Sequence, residues 1–269
     1  MRSPTYSPRA TPAFDWQPRV SVVLPTYNES GNIGNLIAAV REAAHAALDL
    51  EIVVIDDDSP DGTAEIAAAC GDNVRVIRRT DARGLATAVR RGIEEARGEV
   101  IVVMDTDFNH QPEMIPQMID FLRYYDLVTG SRFTVGGGME EQGRYRLSFL
   151  FNFFCRLLLG TKLQDHLSGF FAARRESILA LDLDEVFQGY GDYFIRLLVE
   201  SLARGSTVLE VPVYYPSRSA GESKTKFLRT LVQYTRAVLA LTRREARVTG
   251  DCASNQPQNA RTNPDDRRP

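Results

Sequence analysis

From Val20 onward the chain alternates short apolar runs with amphipathic stretches, and this alternation restricts the possible folds more than any other feature of the sequence. The runs "VSVVLP", "EIVVID", "VRVIRR" and "EVIVVMD" are nearly continuous in Val and Ile, the pattern of strands buried on both faces. Between them lie helical patterns over about 32–48, 62–71 and 84–97. Parallel strands joined by right-handed helical crossovers satisfy both patterns, so an α/β doubly wound, mainly parallel sheet is expected. With 269 residues, 43% of them hydrophobic, the chain can bury a substantial core. The folded part is expected over 19–244. Residues 1–18, rich in proline and hydroxyl side chains, and the polar stretch 245–269 read as disordered tails.

Several function classes lose support at once. A formal net charge of -3 supplies no general attraction to nucleic acid, so any basic chemistry must be local. Cys70, Cys155 and Cys252 are far apart with no CxxC spacing, which argues against a disulfide framework or a zinc site and fits a reducing compartment. The N-terminal stretch has no apolar core of a secretory signal, and no run reaches the roughly 18 uncharged apolar residues that span a bilayer. Neither GxGxxG after the first strand nor GxxxxGK[ST] is present, so dehydrogenase and P-loop readings lose their main support.

In doubly wound sheets ligands bind beyond the carboxyl ends of the strands. Here those ends are polar: "PTYNESGN" after the first strand, "DDDSPDGT" after the second and "DTDFNH" after the fourth. Asp105 and Asp107 are one residue apart, on one side of an extended chain, where two anions repel unless a cation lies between them. Carboxylates are hard oxygen ligands suited to Mg²⁺ or Mn²⁺ together with substrate phosphate oxygens. Taken alone, the same tripeptide also reads as a solvated turn with a capping aspartate.

The motifs taken together narrow the choice. "SVVLPTYNESGNI" (21–33), "VVIDDDSPDGT" (53–63), "ARGLATAVRRG" (82–92), "VVMDTDFNHQPEMIP" (102–116), "VTGSRF" (128–133), "QDHLSGFFAARR" (164–175) and "RSAGESKTKF" (218–227) resemble family-2 glycosyltransferases of the GT-A fold. The similarity covers about residues 20–227 and is closest to the polyprenyl-phosphate (dolichyl-phosphate) mannose synthases. It implies a metal-dependent, inverting transfer of mannose from GDP-mannose to a polyprenyl phosphate. It further implies that Pro25, Tyr27, Glu29, Ile55 and Asp57 hold the nucleoside, and that Asp105, Thr106 and Asp107 meet the nucleotide-sugar. Asp105, Asp107 and Asn109 would bind the metal, Mg²⁺ or Mn²⁺. Pro25 is expected to end its strand. Asp58 stands where many members have glycine. A loop histidine such as His110 reads as hydrogen-bonded packing beside the carboxylates.

For the acceptor, the resemblance assigns the lipid phosphate to Arg132, Arg144 and Ser148, the last two sharing a face near the positive end of a predicted helix. Arg218 and Lys224, on a loop with Gly221, would pair with the donor diphosphate. A phosphate monoester is already mostly a dianion at neutral pH, so no strong general base is required, and Asp165 reads as an orienting or turn residue. Asp107, Arg132, Arg218 and Lys224 are thus the catalytic candidates. Segments 144–160 and 225–244 read as amphipathic helices lying at a membrane surface, the second basic, with helices covering the core as the alternative for both. Peripheral contact at the cytoplasmic face of a membrane, direct or through an anchoring partner, is the expectation. The segment "FQGYGDYFIRLLVE" (187–200) differs from that expected of mannose synthases, which keeps a UDP-glucose or UDP-amino-sugar donor open. A non-catalytic nucleotide-sugar-binding scaffold is the rival of a different class.

Overall fold

The computed structural model describes residues 16–44, 48–81, 83–216 and 227–254. Its elements run β1 (Val20–Thr26), α1 (Ile33–Ala44), β2 (Leu50–Asp56), α2 (Thr63–Ala68), β3 (Val74–Arg78), α3 (Leu85–Glu95) and β4 (Val100–Val103). A 3-10 turn (Pro112–Met114), α4 (Ile115–Phe121), β5 (Leu127–Ser131), β6 (Gly138–Met139), α5 (Gln142–Leu159) and β7 (Phe171–Arg174) follow. The chain continues through α6 (Arg175–Leu179), α7 (Leu183–Val186), α8 (Tyr193–Ala203), β8 (Val208–Pro212), β9 (Tyr214–Tyr215) and α9 (Phe227–Ser254). Among the described residues, seven strands form one sheet in the order β3-β2-β1-β4-β7-β5-β8. β7 alone runs antiparallel to its neighbours. The strand order reverses between β1 and β4, which creates the crevice where doubly wound sheets bind ligands.

Alternate residues of the central strands feed two different cores. Val22, Leu24, Val54 and Val102 face α1 and α4, packing on Ile33, Leu36, Ile37 and Met118. Val23, Val53, Ile55 and Val103 face α3 and α8, packing on Val89, Ile93, Phe194 and Leu197. Both faces are dry, which is why these strands read as unbroken apolar runs. Each such fully buried side chain stabilises the fold by about 1.5–3 kcal/mol. Gly92 lets α3 approach closely, because a Cβ there would lie 2.2 Å from Val23 Cγ1. A third cluster joins α5, α8 and α9 through Cys155, Leu159, Ile195, Val199, Val238 and Leu241. Gly160 ends α5 in the left-handed conformation, φ 61°, which glycine adopts at no steric cost.

Three expectations change. Pro25 does not end β1, which continues to Thr26 with Pro25 opposite Ile55 in the register with β2. The Val23 carbonyl faces β4, accepting from Met104 N at 3.3 Å, and Pro25 has the same parity. Its missing N–H therefore falls on the side where β4 pairing has already stopped at Val23. At the C-terminal end, α9 runs to Ser254, past the boundary at 244 that polarity suggested. At the other end Trp16, assigned by composition to a tail, packs on the core between Arg123 and Arg174, whose guanidinium carbons lie 5.7 and 4.8 Å from its ring. Cation–π contacts fix this residue, and composition alone does not register them.

Candidate active site

The carboxyl ends of β1, β2 and β4 converge. Here the loop after β1 is knit to the loop after β2: Asn28 N donates to Ser59 Oγ (2.9 Å), Glu29 N to Thr63 Oγ1 (2.9 Å) and Ser30 N to Asp61 Oδ2 (3.0 Å). The Asp61 carboxyl, although burial opposes its charge, is held down to a pKa of about 2 by the Thr63 hydroxyl and by Ser30. Asp56 is buried and structural, accepting from Thr26 Oγ1 and from Ser59 N. The three consecutive acids after β2 therefore differ in role. Asp57 is buried and tied to Arg79 Nε at 2.7 Å and Gly84 N at 2.8 Å. Asp58 sits at φ 57°, a left-handed conformation costly for a residue with a Cβ, and its carboxylate faces Arg78.

Asp57 is thus already engaged, its carboxylate bridging Arg79 and Gly84. Between them in sequence, Arg83 lies 4.9 Å from the Tyr27 ring centroid and donates to its hydroxyl at 3.0 Å. An open crevice of about 530 Å³ beside it is lined by Asp58, Ser59, Pro60, Gly62, Glu65, Arg78 and Arg83. Pro25 and Ile55 are paired, buried residues of β1 and β2. Arg79 and Arg83 were not anticipated. The doubled arginine at the end of "VRVIRR" is the sequence signal for Arg79, and the motif "ARGLATAVRRG" (82–92) the one for Arg83.

β4 stops at Val103, so Asp105 and Asp107 lie just past the strand, in a bend where Phe108 has φ 60°. The extended geometry expected for the tripeptide is absent. The alternation nevertheless survives, with Thr106 buried and Asp105 and Asp107 both partly exposed. Asp107 is turned by Asn109, whose backbone N and side-chain Nδ2 donate to its two carboxylate oxygens at 3.2 and 2.7 Å. The backbone N–H of Asp105 donates to His110 Nδ1 at 2.8 Å. His110 is fully buried, stacked 4.9 Å from Phe170, with its other nitrogen on the Ser168 carbonyl.

Does this donor set fit a divalent cation? Among the described residues no group of three or more His, Cys, Asp and Glu side chains forms a ready cage. Two partly exposed carboxylates, one of them oriented by the Asn109 amide nitrogen, instead offer the open, hard-oxygen donor set that Mg²⁺ or Mn²⁺ would complete with substrate oxygens. The residues fit that ion.

Arg132 follows β5 and is paired with Asp165: Nε and Nη2 donate to the two carboxylate oxygens at 2.7 and 2.8 Å, and Arg132 N adds a third bond at 3.1 Å. Both residues are buried. Burial alone would discharge this pair, but the opposing charge and hydrogen bonds outweigh it, raising the guanidinium pKa and lowering the carboxyl's. Asp165 is therefore an ionised acceptor with both oxygens committed, which suits the orienting role and leaves no lone pair free for proton abstraction. Asn152 of α5 and Glu210 of β8 extend the network, Asn152 Oδ1 accepting from His166 N and Glu210 from Gln164 N and Asp165 N. Phe133 packs on Tyr145 and Phe149, bringing the first turns of α5 beside Arg132. Arg144 and Ser148 share that end of α5, Arg144 exposed and Ser148 partly so. Arg218 and Lys224 lie outside the described residues.

The outer faces of the two long helices are apolar in part. On α5, Leu150, Phe153 and Leu157 are 62%, 57% and 71% exposed. On α9, Val232 and Leu239 alternate with exposed Arg236 and Arg243. Among the described residues no helix is long and apolar enough to cross a membrane.

Comparison with known proteins agrees with this architecture. Residues 21–181 match the family model described as Glycosyl transferase family 2. A dolichol-phosphate mannosyltransferase of Pyrococcus furiosus is 39% identical over 86% of the chain, which spans 65% of that relative's length. An undecaprenyl-phosphate mannosyltransferase of Micrococcus luteus is 35% identical over 77% of the chain and 87% of the relative. Among solved structures, glucosyl-3-phosphoglycerate synthase of Mycobacterium tuberculosis in complex with Mn²⁺, UDP-glucose and phosphoglyceric acid superposes with a TM-score of 0.65. That pair is 25% identical and the match covers 84% of this chain and 80% of the other. The same enzyme in complex with Mg²⁺ and UDP gives a TM-score of 0.61 at 25% identity, over 83% of this chain and 78% of that one.

Proposed function

The chain belongs to glycosyl transferase family 2, and from that premise we propose that it transfers mannose from GDP-mannose to the phosphate of a polyprenyl or dolichyl phosphate at a membrane surface. The observation that carries this reading is that His110 and Tyr215 tie the Asp105 backbone, through the Ser168 carbonyl, to the buried Arg132–Asp165 pair, to which Asn152 of the partly apolar-faced α5 is also bonded. Relatives named for dolichol-phosphate and undecaprenyl-phosphate mannose transfer support it.

On this reading Tyr27, Glu29 and the loop held by Asp57 and Arg79 receive the nucleoside. Asp105, Asp107 and Asn109 hold Mg²⁺ or Mn²⁺, which when bound supplies positive charge to the donor diphosphate. Arg132, Arg144 and Ser148 orient the acceptor phosphate. The acceptor arrives as a dianion, so its oxygen attacks the anomeric carbon in line without prior proton removal, and the sugar configuration inverts. Arg218 and Lys224 would stabilise the departing diphosphate. Apolar side chains on α5 and the mixed apolar and basic face of α9 would rest on the cytoplasmic leaflet, presenting the site to a lipid-borne phosphate.

Incubation with Mn²⁺, a short polyprenyl phosphate and either labelled GDP-mannose or UDP-glucose tests the reading. Transfer from GDP-mannose is expected. Transfer only from the UDP-sugar would replace the donor, and binding without turnover of any donor would mark a scaffold.

A further inference from the structure

The segment Asp165–Ser168 is held at both ends. Asp165 carries Arg132 on its two oxygens, at 2.7 and 2.8 Å, while three residues later the Ser168 carbonyl lies 3.1 Å from His110 Nε2. Because His110 Nδ1 accepts the Asp105 N–H at 2.8 Å, the ring proton must sit on Nε2, which then donates to Ser168. Tyr215 closes the arrangement: its hydroxyl donates to the same carbonyl at 3.1 Å, and its ring lies 5.0 Å beneath the Arg132 guanidinium. The His110 ring itself is 4.9 Å from Phe170, inclined 11° to it, and 5.3 Å from Tyr215. This column is nearly closed to solvent, since His110 and Phe170 are fully buried and Tyr215 is 6% exposed.

We propose that His110 is a positioning residue that fixes the separation between the Asp105–Asp107 pair and Arg132, by gripping the Asp105 peptide N–H and the Ser168 carbonyl at once. The inference rests on the proposed transfer reading, in which one side of the crevice holds the donor diphosphate and the other the acceptor phosphate. In-line attack is sensitive to that separation, because a shift of about 1 Å away from productive geometry costs on the order of a hundredfold in rate. Water, being small and mobile, tolerates such a shift. Loosening the column should therefore penalise transfer to the lipid phosphate more than loss of the sugar to water.

Two readouts test this, one independent of the reaction. His110→Phe keeps the stack on Phe170 but can neither accept from Asp105 nor donate to Ser168, whereas His110→Asn retains an acceptor near the Nδ1 position. In the unliganded protein the Asp105 amide should be protected from hydrogen exchange, lose that protection in His110→Phe and regain part of it in His110→Asn. In the assay with donor, Mn²⁺ and polyprenyl phosphate, the ratio of lipid-linked to hydrolysed sugar should fall roughly 10- to 100-fold in His110→Phe and recover in part in His110→Asn. Tyr215→Phe, which keeps the ring and loses only the hydroxyl, should lower the ratio less, and it serves if His110→Phe does not fold. An unchanged Asp105 exchange rate in His110→Phe, or an unchanged ratio in whichever variant folds, overturns the proposal. If the wild-type protein transfers sugar to no polyprenyl phosphate, the functional reading fails by itself while the exchange measurement still decides what His110 holds.

Discussion

Arg132 and Asp165 form a two-pronged ion pair with both side chains removed from water, Nε and Nη2 meeting separate carboxylate oxygens at 2.7 and 2.8 Å. Breaking one half of such a pair leaves a buried charge uncompensated, which costs about 3–5 kcal/mol. Asp165→Asn is accordingly expected to lower the urea-unfolding free energy by about that amount. If the carboxylate were instead a solvated base, the variant would lose turnover and keep its stability.

Asp57 and Arg79 form a second buried ion pair. The carboxylate joins Arg79 to the Gly84 amide, so it sets the shape of the loop that carries Arg83 over Tyr27. Arg79→Lys keeps the charge but loses the planar fork that meets Asp57 and Thr87 together. Its donor KM should rise about tenfold with a smaller change in kcat, the signature of lost ground-state binding. Equal falls in kcat and kcat/KM would place Arg79 in the chemical step instead.

His166 gives stability a pH dependence. Burial pushes its pKa down from 6.5 to about 4, despite the nearby Asp165 charge. The unfolded chain therefore binds a proton between pH 6.5 and 4 that the folded chain refuses, so stability falls as pH drops through that window. The loss attributable to this one residue is up to about 3 kcal/mol. Urea midpoints of the wild type and His166→Gln between pH 7 and 4.5 should diverge, the variant showing the shallower slope. Parallel curves would contradict the shift.

The exposed side chains of α5 allow a test of membrane contact with little effect on folding. Leu150 and Phe153 are 62% and 57% exposed, so replacing both with Glu removes little packing. Thermal unfolding should change by no more than about 0.5 kcal/mol per site. Sedimentation with anionic vesicles should fall at least about tenfold, since inserting each side chain stabilises binding by about 1.5–3 kcal/mol. Vesicle binding equal to the wild type would remove α5 from the membrane face.

The half of the fold around β1 to β4 was legible because each strand is buried on both faces and each crossover helix has its own period. Antiparallel β7 was not legible. "FFAARR" is short, and its pairing with both β4 and β5 is decided by contacts far along the chain. The site divides in the same way. Asp105, Asp107 and Arg132 stand at strand ends, where position alone marks them. Ser168 and Tyr215 matter through their contacts with His110 and with each other, across 47 or more residues of sequence, and local pattern carries no trace of such pairings. Asp57 was visible as an acid at a strand end, but its partner Arg79 lies 22 residues on, so its engaged state emerged only from packing.

In the proposed transfer, Asp105 and Asp107 would hold a divalent cation against the donor diphosphate. Lipid-linked sugar formation should be followed in wild-type protein stripped with excess chelator and then resupplied with Mn²⁺. Transfer should be lost in chelator and restored by the metal. Full transfer with chelator in excess would contradict it.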